Sequence, residues 1–383
     1  MSAIKPSILF IAQPNIESPL LNSDQFLEDF NIIELTLTTK DAFLQQLKDH
    51  KNDNIVAIYG GYPQFTPIGG LTKEIIEHED FPLNTLKAIV LCSRGYNMID
   101  LDALKSHGIQ LYNYQDEVDE SQDLEGFKMG QVGNDVADCA LWHVLEGFRK
   151  FSYQQASLRK YTDTLVTRAK LAGEDGYAYG HKFNGGQFIH SPRGNKCLVL
   201  GLGSIGKHVA LKLQEGLGMQ IHYSKRNEDL QVKEKYNWKF HRLDETLYSQ
   251  LFQFKAIICA LPGTPATHHL IDEKFLEHCN GPELTLVNLG RGNIVDIEAV
   301  TTALEEGQLR HFGADVFYGE PKVNEMVIEM EDTTSVTPHI GSSTLEVFEQ
   351  SCELALTNII RATTCVEEKK AENEEPQYFS RVI

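Results

Sequence analysis

Residues 197–200 form a short apolar run that ends in Gly201-x-Gly203-x-x-Gly206 and passes directly into a helical stripe at Val209, Ala210 and Leu213. Strand, glycine turn and helix in that order make a cradle for a dinucleotide pyrophosphate. Gly201 permits the tight turn, Gly203 lets backbone approach the phosphates, and Gly206 lets helix and strand pack closely, with the helix N-terminus facing the anion. The glycine triplet alone is a weak signal; its place between a strand and a helix gives it weight. It also constrains the rest of the chain, because such a turn needs a parallel sheet with crossover helices around it.

The turn does not open the chain. Ahead of it, residues 7–12, 55–59 and 86–91 alternate as strands with helical stretches at 25–30 and 44–47, a parallel α/β pattern in its own right. Residues 134–150 carry a helical stripe (Val136, Ala140, Leu141, Val144, Leu145, Phe148) long enough to bridge two domains. The Gly-rich, polar segment 161–195 is expected to be a connector with an insertion. Strands are then expected at 197–200, 220–223, 256–260, 284–289 and 313–316. A last helix over 344–361 is expected to return to the first domain. The expectation is an α/β protein of two parallel-sheet domains, with 1–140 plus 344–383 binding substrate and 141–343 binding the dinucleotide. The charge run at 367–375 is expected to be a solvated tail.

A formal charge of −19 argues against nucleic acid or an anionic membrane as partner. It does not argue against small anionic substrates, since a local basic site outweighs a distant, screened field. The seven cysteines are scattered with no Cys-x-x-Cys pair, which suits free thiols in a reducing compartment. The first residues lack a secretory signal pattern and no apolar run approaches a membrane span, so a cytoplasmic protein is expected, with the nucleus left open.

The strand after the glycine turn ends in Ser224-Lys225-Arg226, where an NAD-preferring site would place a carboxylate for the ribose hydroxyls. Two cations there would welcome a 2′-phosphate, so NADP(H) is the expected cofactor, with NAD(H) possible. Further on, Asn288-Leu289-Gly290-Arg291-Gly292 puts a guanidinium just past a buried strand, at the sheet edge where open α/β sheets bind ligands. Asp315, Glu320-Pro321 and Pro338-His339 follow, and a His reached through Pro is a candidate general acid. His268-His269 tempts as a metal pair, but adjacent residues rarely face one ion, and no metal is expected.

In order and spacing these motifs resemble the D-isomer-specific 2-hydroxyacid dehydrogenases, near their glyoxylate/hydroxypyruvate reductase branch, most strongly over residues 89–343. The matched segments are the dinucleotide turn, Leu261-Pro262 with Thr264-Pro265-x-Thr267, Arg291-Gly292, Asp315 with Glu320-Pro321, and Pro338-His339-Ile340-Gly341. The resemblance implies Rossmann-like and flavodoxin-like domains with the active site in a cleft between them, and a homodimer. It implies that Arg291 holds the substrate carboxylate and keto oxygen, that His339 gives that oxygen its proton, and that Glu320 orients His339. Cofactor contacts would come from Gly201, Gly203, Ser204, Ile205 and Gly206 in the turn, and from Ser224, Lys225 and Arg226. Leu261, Pro262 and Thr267, Leu289 and Gly290, and Asp315, His339 and Gly341 would complete them, with Asp315 on the nicotinamide amide. Backbone amides at Ser93, Arg94 and Gly95 would grip the substrate carboxylate.

Three segments depart from the pattern: an Arg in the Ser93–Tyr96 loop, read as pointing outward, Gly60-Gly61-Tyr62 after a first-domain strand, and the long 161–195 insertion. They bear on the substrate. The implied activity is NADPH-dependent reduction of a small 2-keto acid to a D-2-hydroxy acid. The alternative from another class is a cofactor-sensing corepressor on the same fold. Phosphoglycerate dehydrogenase is disfavoured by the short stretch after Ser343, and formate dehydrogenase by Glu320, where that branch carries Gln.

Overall fold

A computed structural model describes residues 5–115, 130–174, 180–183, 187–363 and 381–383. The tail at 367–375 lies outside them. The chain divides into two compact units, Met1–Lys128 with Ser343–Ile383, and Met129–Ser342.

In the first unit β1 (Ser7–Phe10), β2 (Asn31–Glu34), β3 (Ile55–Gly60), β4 (Ala88–Leu91) and β5 (Gln110–Tyr112) form a parallel sheet in the order β2-β1-β3-β4-β5. That is the flavodoxin-like order. Because side chains alternate along a strand, the sheet feeds two cores. Leu9, Ile58, Ile89 and Leu111 face one, with Phe43 and Leu47 of the helix Lys40–Asp49 and Leu104 of the helix Leu101–Ser106. Ile8, Phe10, Tyr59 and Val90 face the other, covered by Phe26 and by Cys352, Ala355, Leu356 and Ile359 of the helix Leu345–Thr363. The last helix thus completes the first unit. Burying each large aliphatic side chain there stabilises it by about 1.5–3 kcal/mol.

The second unit opens with the helix Gln131–Arg149. Its stripe (Val136, Ala137, Ala140, Val144, Phe148) is buried, and Arg310 Nε donates to the Gly147 carbonyl at 3.0 Å. The domain boundary expected at residue 140 falls inside this helix; the compact units meet at 128/129 instead. The 161–195 segment is not a bare connector. It holds the helix Thr164–Ala172, capped by Asp163 and closed by Gly173, and the hairpin β6 (Lys182–Phe183) and β7 (Gln187–Phe188).

β8 (Lys196–Leu200), β9 (Gln220–Ser224), β10 (Lys239–His241), β11 (Ala256–Cys259), β12 (Thr285–Asn288), β13 (His311–Ala314) and β14 (Thr334–Val336) form a seven-stranded parallel sheet. The order β10-β9-β8-β11-β12-β13-β14 is that of a Rossmann fold with an added edge strand. Strand order reverses between β8 and β11, and the crevice at their carboxyl ends is where such sheets bind ligands. Among the described residues no helix is long and apolar enough to cross a membrane.

Candidate active site

At the end of β8, Gly201 has φ +95°, and a Cβ there would stand 2.8 Å from the Ala260 carbonyl oxygen at the end of β11. A Cβ on Gly206 would fall on the Gly201 carbonyl. Both glycines are therefore demanded by backbone, one by conformation and one by approach. Gly203 is exposed with open space before it, and the helix Ser204–Leu217 starts immediately after. The first-turn amides of Ser204, Ile205 and Gly206 stand where an anion meets a helix N-terminus. Ser204 Oγ is buried beside Gly133 with no hydrogen-bond partner among the described residues, so what Ser204 offers an anion is its amide. The open side at Gly203 and the helix start fit a pyrophosphate.

Ser224 is buried and its carbonyl accepts the Gly201 amide at 2.9 Å, tying β9 to the turn. Lys225 and Arg226 are exposed. A carboxylate is present after all, supplied from farther along the chain. Asp229 Oδ2 lies 3.2 Å from Lys225 Nζ and 3.5 Å from Lys207 Nζ, while Oδ1 caps the helix Leu230–Tyr236. Burial pushes the Asp229 carboxyl up, but the Val232 amide and the two lysines outweigh it and hold it below the usual carboxylate range. Lys225 is thereby engaged in an ion pair, while Arg226 stands exposed beside it.

Leu261 and Pro262 leave the end of β11. Thr267 Oγ1 donates to the Pro262 carbonyl at 2.7 Å and accepts the Thr264 amide at 2.8 Å, so that hydroxyl shapes the loop from within. At the end of β12 the Leu289 amide donates to the Cys259 carbonyl at 2.9 Å. Buried Asn288 pins the next turn at both ends: its Oδ1 accepts the Gly290 amide at 3.2 Å, and its Nδ2 donates to the Arg291 carbonyl at 3.0 Å. Arg291 Nη1 donates to the Gly290 carbonyl at 2.7 Å. A Cβ on Gly292 would overlap the Phe317 backbone, so the arginine turn lies directly against the turn that carries Glu320.

Beyond β13, Asp315 is 4% exposed and anchors the last turn: Oδ1 accepts the Thr337 hydroxyl at 2.6 Å and the Ile340 amide at 2.9 Å, and Oδ2 accepts the Gly341 amide at 2.8 Å. Between those anchor points stands His339, in the left-handed region at φ +55°. Its Nδ1 lies 2.9 Å from Glu320 Oε2, and Glu320 Oε1 accepts the Phe317 amide at 2.8 Å. The Glu320 bond raises the His339 imidazole above its ordinary range against the pull of burial and Arg291. Burial works to raise the Glu320 carboxyl, but His339, the Phe317 amide and Arg291 together hold it low. Arg291 thus acts electrostatically on both members of the pair, and Nε2 of His339 is left for a ligand.

In the first unit, the turn after β4 has its carbonyls engaged. Ser93 accepts the Tyr114 amide at 2.9 Å, Arg94 accepts Asn113 Nδ2 at 2.8 Å, and Gly95 accepts Gln64 Nε2 at 2.9 Å. Gln64 Nε2 also donates to Ser93 Oγ. Arg94 does not point outward as expected: it is half-buried, with Nε shielded from solvent. His268 and His269 stack on each other at 4.0 Å, and among the described residues no His, Cys, Asp and Glu cluster has the makings of a metal site.

Asn288, Asp229, Lys207 and Thr337 belong to this site although sequence reasoning gave them no role. The signal for Asn288 was an amide side chain directly before Gly-Arg-Gly at a strand end. Lys207 and Thr337 directly adjoin the glycine turn and Pro338-His339 but carry no motif of their own, and Asp229 lies outside every motif.

Such a site defines a class, the dinucleotide-dependent oxidoreductases whose proton donor is an imidazole backed by a carboxylate. Residues 167–341 match the family model described as D-isomer specific 2-hydroxyacid dehydrogenase, NAD binding domain. Over 99% of its length, and 98% of the relative's, the chain is 56% identical to a provisionally named 2-hydroxyacid dehydrogenase of Saccharomyces cerevisiae. It is 30% identical to glyoxylate/hydroxypyruvate reductase B of Pectobacterium atrosepticum, covering 77% of this chain and 80% of that one. Among solved structures, holo D-mandelate dehydrogenase of Rhodotorula graminis matches with TM-score 0.77 and 29% identity over 93% of this chain and 94% of that one. The chain belongs to the D-isomer-specific 2-hydroxyacid dehydrogenase family.

Proposed function

We propose that the protein reduces small 2-keto acids of the glyoxylate and hydroxypyruvate type to D-2-hydroxy acids, with NADPH preferred over NADH. The observation that carries this reading is the His339–Glu320 pair at 2.9 Å with the Arg291 charge beside it. A nicotinamide cofactor held at the glycine turn of Gly201, Gly203 and Gly206 would supply the hydride. As the ketone carbon is reduced, negative charge grows on its oxygen; Arg291 stabilises that charge and His339 Nε2 delivers the proton. Glu320 keeps the imidazole oriented and favours its protonated form. Asp315 holds the turn that presents His339 and is assigned to the nicotinamide amide. We assign dinucleotide binding to the second unit, and substrate-carboxylate binding to the amides of Ser93, Arg94 and Gly95 in the first. A cytoplasmic homodimer is the assembly proposed. The corepressor alternative finds no support in the relatives described above.

The experiment is a panel of 2-keto acids, including phenylglyoxylate, run with both reduced cofactors. Glyoxylate and hydroxypyruvate are expected to give the highest kcat/KM; absence of turnover with every member would sink the reading. Arg226→Ala tests the cofactor preference. A charge-assisted contact to a 2′-phosphate is worth about 1.5–3 kcal/mol, so kcat/KM for NADPH is expected to fall about tenfold to a hundredfold with little change for NADH. An unaltered ratio would show that Arg226 does not read the phosphate.

The pair also predicts a pH dependence. His339 titrates above its ordinary range, so keto-acid reduction, which uses the acid form, is retained below that raised value and declines as pH rises through it. Glu320→Gln removes the charge that holds the imidazole up. The alkaline limb of kcat is then expected to move to lower pH. A limb left in place would show that another group titrates. Both side chains are over a third or about a third exposed (40% and 33%), so the pair itself contributes little to stability.

A further inference from the structure

Behind the Asp315 anchor the second unit contains a row of buried polar groups that the mechanism does not use. His143 Nε2 lies 3.3 Å from Thr337 Oγ1, and His143 Nδ1 lies 2.7 Å from Ser335 Oγ. Ser335 Oγ is 2.9 Å from His311 Nε2, and His311 Nδ1 is 2.9 Å from Lys150 Nζ. Lys150 is 2% exposed, while His143 and His311 are 0% and 1% exposed. These groups come from a helix junction, β13, the helix Gln131–Arg149 and β14, so no one element imposes the row.

The proton positions in this row follow from its two ends. The Asp315 carboxylate accepts, so the single Thr337 hydroxyl proton points at it. Thr337 Oγ1 then accepts from His143, which places the proton of that ring on Nε2 and leaves Nδ1 to accept. Ser335 gives its one proton to His143 Nδ1 and accepts from His311 Nε2, whose Nδ1 is left to accept from Lys150. Each ring is neutral in this scheme: burial pushes His143 down to about 3, and burial first, with Lys150 and Arg310 nearby, pushes His311 well below its usual range. Burial pushes the Lys150 amino group down to about 7, but it keeps N–H donors in either protonation state, so every bond runs the same way, from the Lys150 amino group to the carboxylate. Such a chain is cooperative, each donor being sharpened by the one behind it.

We infer that the chain from Lys150 through His311, Ser335, His143 and Thr337 is a positioning element for the catalytic turn, and that by strengthening the donor on Asp315 it sets the titration of His339. The inference rests on the reading of His339 as the proton donor. The charged and titratable groups around the chain are few. Arg310, Glu146 and Asp332 face Lys150; Cys139 stands 3.7 Å from Thr337 Oγ1; Glu320, Asp315 and Arg291 act on His339. Burial, first, and Asp315 push the Cys139 thiol up to about 11, so it is neutral near pH 7. Asp315 raises the His339 imidazole. With the chain cut, Thr337 becomes a weaker or diverted donor, the Asp315 charge is less dispersed, and His339 titrates higher.

The test uses the full-length protein without cofactor. Nitrogen-15 histidine NMR reads ring tautomers and the His339 midpoint directly, with His339 resonances assigned from the His339→Asn variant. In the wild type His143 and His311 are expected as Nε2–H tautomers. Ser335→Ala removes one oxygen from the middle of the chain and touches neither Asp315 nor His339. It is expected to raise the His339 midpoint by at least about 0.3 pH unit. Thr337→Val, nearly isosteric, is expected to raise it at least as far, and Thr337→Ser, which keeps the hydroxyl, to leave it at the wild-type value. A midpoint unchanged or lowered in both Ser335→Ala and Thr337→Val overturns the inference, whatever happens to thermal stability. So does an Nδ1–H tautomer at His143 in the wild type. Failure of the functional reading shows separately, as absence of keto-acid turnover by the unaltered protein.

Discussion

Substituting His339 by Asn is expected to lower kcat for keto-acid reduction by about 10²–10⁴-fold, the usual worth of a positioned general acid. Asn is the substitution of choice because residue 339 sits at φ +55°, a conformation Asn accepts and a β-branched residue does not. The Ile340 and Gly341 amides that clamp the turn to Asp315 are backbone groups and survive the change. Cofactor affinity, followed by quenching of protein fluorescence, is therefore expected to stay close to that of the unaltered protein. Turnover at the original rate would remove His339 from the chemistry. Loss of turnover together with loss of cofactor binding would mean that the turn had collapsed.

The second large effect is expected at Gly206. A single methyl there would fall on the Gly201 carbonyl, between two stretches of backbone that have no rotamer to change. Overpacking of this sort costs about 1–3 kcal/mol. Relief would require the helix Ser204–Leu217 to slide away from β8, carrying with it the amides assigned to the pyrophosphate. Gly206→Ala is thus expected to lower the urea midpoint of the second unit and also weaken cofactor binding by about tenfold or more. Gly203→Ala is the informative contrast, since nothing lies within 4 Å of the Cβ it would add. It leaves the fold alone and tests only the approach of the ligand. Equal midpoints and equal affinities for the Gly206 variant and the unaltered protein would refute the role given to this turn.

Much of the architecture was legible in the sequence because it depends on short-range pattern. The glycine spacing and the apolar run before it located β8 and its helix. The same kind of signal found β3, β4 and β11, whose residues are buried and apolar, and β12, which is buried throughout and apolar at Leu286 and Val287. It failed at β2, an edge strand that is largely exposed, and at β5, β10 and β14, which are three residues each. It set β13 two residues late, since His311 is polar yet buried by the Lys150 and Ser335 bonds. The 161–195 segment misled because its helix is mostly exposed and carries a weak apolar stripe. At the site, Arg291, Glu320 and His339 stood out as reactive side chains just past strand ends. Asp229 did not, because its return to Lys225 and Lys207 depends on a turn whose shape the pattern does not encode. The row from Lys150 to Asp315 was invisible for a related reason: its members are scattered from residue 143 to residue 337, and only the packed sheet lines them up.

The helix Leu345–Thr363 closes a face of the first sheet, yet it is made only after the whole second unit. As the polypeptide leaves the ribosome, the first five strands emerge early with Ile8, Phe10, Tyr59 and Val90 lacking their final cover. The contiguous second unit is the one free to finish first. Synthesis order and completion order are thus reversed, and the nascent first unit must wait, with part of its apolar surface bare, for a helix translated after the second.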